Sequence, residues 1–137
     1  MIEIPADIRD EVVAHAMGHF PNESCGLLAG SPNGSAAVRA ERFFPMTNAD
    51  ASPVSYRLDP KEQLRVFNEL EEAGLELVGI YHSHTHSEAF PSETDRSLAF
   101  YPEAHYLLVS LEDREHPVLR GFSIRDGEIE EQDVTIT

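Results

Sequence analysis

The sequence predicts an α/β fold, a mixed β-sheet flanked by helices, built as one domain over residues 1–137. Three observations carry that expectation. An early stretch repeats apolar residues at four-residue spacing, a later stretch is punctuated at both ends like a helix, and short runs of strand formers lie between and after them. Taken in order, residues 5 to about 20 set Ile8, Val12, Ala16 and Phe20 on one helical stripe, and Pro21 ends it. Strand-like runs follow over 25–29, 37–44 and 54–58. Asp59 then stands as N-cap, Pro60 at the first helical position and Glu62 at the third, with Leu64, Phe67 and Leu70 as the apolar face and Gly74 as the stop. Residues 75–81 are rich in strand formers, Ser92 opens a short helix, and strands are expected near 105–111, 118–124 and 129–136.

Composition bounds what such a domain can do. A chain of 137 residues holds one sizeable core and no more. With 25 acidic residues against 10 basic ones, a net charge of −15 and Lys61 as its single lysine, it is a poor binder of nucleic acid and of anionic membranes. Solubility is the first explanation of that acidity; attraction to a partner with a basic face is the second. The single cysteine, Cys25, excludes an intrachain disulfide, fits a reducing compartment and reads as a buried structural thiol. Residues 1–5 lack both a basic stretch and a long apolar run, and no segment has transmembrane length, so the expected location is cytoplasmic.

The chemistry is concentrated where the 75–81 run ends. His82-x-His84, seven residues, then Ser92-x-x-Asp95 supplies two imidazoles and a carboxylate. Residues two apart on a strand share a face, so both imidazoles can reach one metal ion. Three protein ligands leave the fourth tetrahedral position open, as hydrolytic sites require and structural ones do not. Asp95 sits three positions after Ser92, near the positive end of the short helix, which also matches an ordinary helix cap. Glu23 precedes another apolar run and is the candidate base.

Glu23, His82-x-His84 and Ser92-x-x-Asp95 together resemble the JAMM or MPN-plus metallopeptidases, over nearly the whole chain. That resemblance implies a single-domain, cytidine-deaminase-like fold and hydrolysis of peptide or isopeptide bonds at the C-terminus of ubiquitin-like proteins. It implies one zinc ion bound by His82, His84 and Asp95, Glu23 as general acid and base, and Ser92 as a donor to the oxyanion. Pro45–Ala49, Ser52-Pro53, Tyr56–Asp59, Glu62–Leu64 and Pro102–Ser110 are further similar to bacterial Mec-type peptidases, which release cysteine from the C-terminal glycine of a small sulfur carrier protein. The implied partner is a ubiquitin-like carrier ending in Gly-Gly, and the implied process is cysteine biosynthesis. A homodimer is compatible with the resemblance. His86, and Thr85 where proline is commoner, depart from the usual pattern.

The loops 45–53 and 85–91 are the expected walls of a substrate channel, with Asn48 and His86 as substrate-binding candidates. A glycine tail could lie extended there, held by main-chain hydrogen bonds. His15 and His19, four apart on the first helix, have no third ligand or adjacent glutamate and read as core or boundary residues. His105 and His116 carry no expected role. Three other readings stand beside the cysteine-releasing one: a general isopeptidase acting on lysine conjugates, a metal-free scaffold of the same fold, and the same zinc chemistry on a non-protein amide. Nitrogen and oxygen ligands also accept iron or cobalt; zinc is the expected ion.

Overall fold

The computed structural model describes residues 1–31 and 38–137. The chain runs β1 (Ile2–Ile4), α1 (Ala6–His19), β2 (Cys25–Gly30), β3 (Val38–Arg39), β4 (Arg42–Met46), α2 (Pro60–Ala73), β5 (Glu76–His84), α3 (Glu93–Ser97), β6 (His105–Ser110), β7 (Val118–Arg125), β8 (Glu128–Gln132) and β9 (Val134–Ile136). The main sheet has the order β4-β2-β5-β6-β7-β8 and is mixed: only β5 and β6 run parallel. A small parallel sheet, β3-β1-β9, lies apart from it.

Both faces of the main sheet are covered, and neighbouring residues divide between them. Leu28, Tyr81, Leu107 and Val109 pack with Ile8, Val12 and Ala16 of α1 and with Ile2 and Ile4 of β1. Leu27, Ile80 and Tyr106 pack instead with Val66 and Leu70 of α2. Alternate side chains of a strand leave on opposite faces, so the near-continuous apolar runs of β2, β5 and β6 are what a doubly covered sheet requires. The metal-motif histidines follow Ile80 in phase, so His82 and His84 leave on the α2 side.

The helix punctuation reads as expected in α2. Asp59 Oδ1 accepts the N–H groups of Lys61 (2.8 Å) and Glu62 (3.4 Å), Pro60 begins the helix, and Gly74 closes it at φ 69°. Four expectations need correction. Leu64 is 62% exposed rather than on the buried face, because that face runs through Val66 and Leu70. Residues 54–58 form no strand beyond the single bridge Asn48–Leu58; the Asn48 side chain takes up the Ser55 carbonyl and the Arg57 N–H that a ladder would have used. The 129–136 stretch breaks at Asp133, whose carbonyl accepts Ile2 N–H, and its halves join different sheets. The 37–44 run is two strands, β3 and β4, with a break at Ala40 and Glu41; its first residue, Ala37, lies outside the described residues. β1 was not foreseen. No helix among the described residues is long and apolar enough to cross a membrane.

Candidate metal centre

His82 and His84 stand at the end of β5, both buried, and α3 brings Asp95 against them. Asp95 Oδ2 lies 3.1 Å from His82 Nε2 and 2.9 Å from His84 Nε2, and the two Nε2 atoms are 3.2 Å apart. The tautomer of His84 follows from its other nitrogen. Nδ1 lies 2.8 Å from the Glu88 carbonyl, which can only accept, so in the neutral ring Nδ1 carries the proton and Nε2 presents a lone pair. That lone pair points at a carboxylate oxygen and a second imidazole nitrogen. Electron-rich atoms converge this closely only around a proton or a cation, so the donor set fits a divalent metal. His82 Nδ1 is buried without a hydrogen-bond partner among the described residues.

Asp95 and Ser92 form a reciprocal cap on α3. Asp95 N–H donates to Ser92 Oγ at 3.0 Å, and Ser92 N–H donates to Asp95 Oδ2 at 2.9 Å. The capping-box reading and the ligand reading are therefore compatible: the cap aims the Asp95 carboxylate. Burial works to raise the Asp95 carboxyl, but the two imidazoles beside it outweigh burial and hold the group well below the usual range. Burial lowers the His82 imidazole; at His84 the neighbouring Asp95 carboxylate and the Glu88 carbonyl overcome burial and favour the protonated ring.

Glu23 sits just before β2, 5% exposed, and its Oε1 is buried with no partner among the described residues. Burial pushes its carboxyl up to about 7, against the pull of His84 and with a contribution from Asp95. A group half-ionised near neutrality can both take and return a proton. Behind the site, Ser24 N–H donates to Ser83 Oγ (2.8 Å), and Ser24 Oγ bonds Tyr81 Oη, which also meets His15 Nδ1 at 2.9 Å. His15 is thus a boundary residue, as expected, and His19 Nδ1 is capped by the His15 carbonyl. Cys25 is buried, and burial pushes its thiol up to about 12.

Two participants were not foreseen. The Tyr56 ring stacks on His82 with centroids 4.2 Å apart and 19° between planes, and the Glu88 carbonyl orients His84. Tyr56 lay within a recognised segment but had no spacing signal tying it to His82; its position depends on how the 47–58 loop returns to the sheet. Beside Asp95 opens a cavity of about 240 Å³, lined in part by Tyr56, Leu58, Leu98, Phe100, Tyr101 and Tyr106. Asn48 is buried with all four of its hydrogen-bonding positions used within the chain. His86 is exposed, its ring 5.5 Å from that of Phe20 and its Nδ1 2.9 Å from Thr85 Oγ1. Thr85 Oγ1 donates to the Pro53 carbonyl (3.1 Å), tying together the two loops expected to wall the channel. A second group of ligand-type residues, Asp113, Glu115 and His116, is exposed, with Asp113 and His116 hydrogen-bonded to each other.

A family model described as prokaryotic homologs of the JAB domain matches residues 5–123. The chain belongs to this JAB-domain family. Among JAB-domain relatives, it is 49% identical over 136 residues to a CysO-cysteine peptidase of Mycobacterium tuberculosis, covering 99% of this chain and 91% of that protein. It is 39% identical over 118 residues to a desampylase of Haloferax volcanii, covering 82% of this chain and 83% of that one. The solution structure of a protein from Desulfitobacterium hafniense superposes with a TM-score of 0.91 at 36% identity, covering 100% of this chain and 93% of that one. The mixed sheet flanked by helices is the fold of that neighbour, and the α/β expectation is borne out.

Proposed function

We propose that this protein is a zinc-dependent peptidase that hydrolyses the amide bond at the C-terminal glycine of a ubiquitin-like sulfur carrier protein and releases cysteine. The carrying observation is the convergence of His82, His84 and Asp95 near a buried Glu23 whose Oε1 has no partner among the described residues, in a chain 49% identical to a CysO-cysteine peptidase. His82, His84 and Asp95 would hold one zinc ion. Such an ion supplies a Lewis acid that polarises a carbonyl and makes a water acidic near pH 7.

The chain's own groups account for the proton traffic. Glu23 accepts a proton from the attacking water as oxygen bonds to the scissile carbonyl carbon. The carbonyl oxygen gains negative charge, and the Ser92 hydroxyl hydrogen, left free because the cap uses only the oxygen as acceptor, can donate to it. Glu23 then gives the proton to the departing α-amino nitrogen as the C–N bond breaks. The products are the carrier's terminal carboxylate and free cysteine. The Gly-Gly tail would run between the tied loops 45–53 and 85–91, with exposed His86 as a contact. The free thiol of Cys25 suits a reducing cytoplasm.

The test is mass spectrometry of a sulfur carrier bearing a C-terminal cysteine, incubated with the zinc-loaded protein or its Glu23→Gln form. Loss of one cysteine residue with the intact protein alone is expected. No loss, together with cleavage of a lysine-linked conjugate, would move the function to general deconjugation; the Haloferax relative is named a desampylase. No cleavage of either, with zinc bound, would favour a scaffold.

A further inference from the structure

We propose that Asn48 is a positioning residue for Glu23: its side-chain amide clamps the 48–57 loop to the segment before β2 and so fixes where the base carboxylate stands. This rests on the base role proposed for Glu23.

The geometry around Asn48 is closed. Nδ2 donates to the Glu23 carbonyl at 3.0 Å and to the Ser55 carbonyl at 2.9 Å, while Oδ1 accepts the N–H groups of Asp50 at 3.0 Å and Arg57 at 3.1 Å. An amide has two donor hydrogens and two lone-pair directions, so none remains for a substrate. The other side of Glu23 is held by the same loop, since Glu23 N–H donates to the Ser52 carbonyl at 2.8 Å. Both peptide groups flanking the Glu23 Cα are therefore anchored to residues 48–52.

At the far end of the side chain, Glu23 Oε1 is buried with no hydrogen-bond partner among the described residues. With Oε1 unanchored among the described residues, the side chain takes its direction from its backbone and from the walls around it. The backbone direction is what Asn48 sets. The loop that Asn48 gathers also carries Tyr56, which stacks on His82, and it is closed by Ala49 N–H donating to the Arg57 carbonyl at 2.8 Å. One buried amide thus registers the base against the metal-ligand ring from opposite ends of a ten-residue loop. Misplacement of a reacting group by about 1 Å can cost roughly a hundredfold in rate, so such a brace acts on turnover rather than on affinity.

The experiment compares the zinc-loaded protein with its Asn48→Ala and Asn48→Asp forms on the carrier bearing C-terminal cysteine. Asn48→Asp keeps the two acceptor bonds and sets an oxygen against the Glu23 and Ser55 carbonyls, so it tests the donor half even where the alanine form does not fold. Expected are a kcat lowered roughly a hundredfold, a KM within about threefold of the parent, and one zinc per chain. In the Glu23→Gln background, adding Asn48→Asp should leave carrier affinity within about threefold. Crystal structures of the zinc-loaded forms should show the Glu23 carboxylate displaced with the three ligands in place. A raised KM at unchanged kcat, or a carrier affinity lowered about tenfold or more in the Glu23→Gln background, would make Asn48 a substrate contact and overturn the proposal. So would a Glu23 carboxylate that does not move. If the parent itself cleaves no carrier adduct, the substrate reading fails on its own, and the crystal comparison still decides the role of Asn48.

Discussion

Glu23 is held in an environment that disfavours its own charge, and that has a measurable consequence in the metal-free protein. Burial raises its carboxyl from 4.5 to about 7, so folding is helped by protonation of this group. Its contribution is fully present below pH 4.5 and is lost as pH rises through 7, where the ionised form must be kept buried. Glu23→Gln is therefore expected to stabilise the metal-free protein above neutrality, on the order of 2 kcal/mol by urea denaturation at about pH 8, with the gain vanishing toward pH 4. A gain that is the same at both pH values would mean that the carboxyl is not perturbed. At the neighbouring candidate ligand, the Tyr56 ring covers His82. Tyr56→Phe should retain zinc like the parent, whereas Tyr56→Ala should release it to a chelator about tenfold more readily. The candidate ligands were legible in the sequence because two lie on one strand and the third lies three residues into a capped helix, all short-range relations. The stacking of Tyr56 was not, and Asn48 was legible only as a substrate-binding candidate, because their partners lie 26 and 25 residues away and are met only when the loop closes.

Helices α2 and α3 show how far local punctuation reaches. Asp59, Pro60 and Gly74 bound α2 where they stand in the sequence, and Ser92 opens α3, since each acts on backbone groups within a few residues. Asp59→Ala removes the acceptor for two N–H groups and should cost about 1 kcal/mol, read as a lower melting temperature with kcat unchanged. A loss of turnover as large as that from Glu23→Gln would instead show that α2 helps to shape the site. Strands were harder to read. The stretch 54–58 has strand-forming residues, yet Asn48 takes its backbone partners, while β1, three residues long, gives no periodicity to detect. The 129–136 run looks continuous because only Asp133 separates β8 from β9; the break there is set by which sheet each half can reach.

On the scale of the whole molecule, the alternation of buried residues in β2, β5 and β6 divides the interior into an α1 side and an α2 side, and the candidate metal centre belongs to the α2 side. The α1 side depends on β1, whose Ile2 and Ile4 pack against Ile8 and Val12. Removing residues 134–137 takes away a strand partner of β1 and should raise hydrogen exchange in α1 before it rises in the β2–β5 pair. Equal rises in both would mark the domain as one cooperative unit. The pairing of Ile2 with Val134 and of Ile4 with Ile136 also bears on how the chain comes into being. During synthesis, residues 2–4 leave the ribosome some 130 residues ahead of 134–136, so the nascent protein can form the antiparallel β2–β5 pair, which carries His82 and His84, while β1 is still half-paired. The α1 side of the interior is then the last to close, and a chain halted just before residue 134 would hold its candidate metal centre with its back still open.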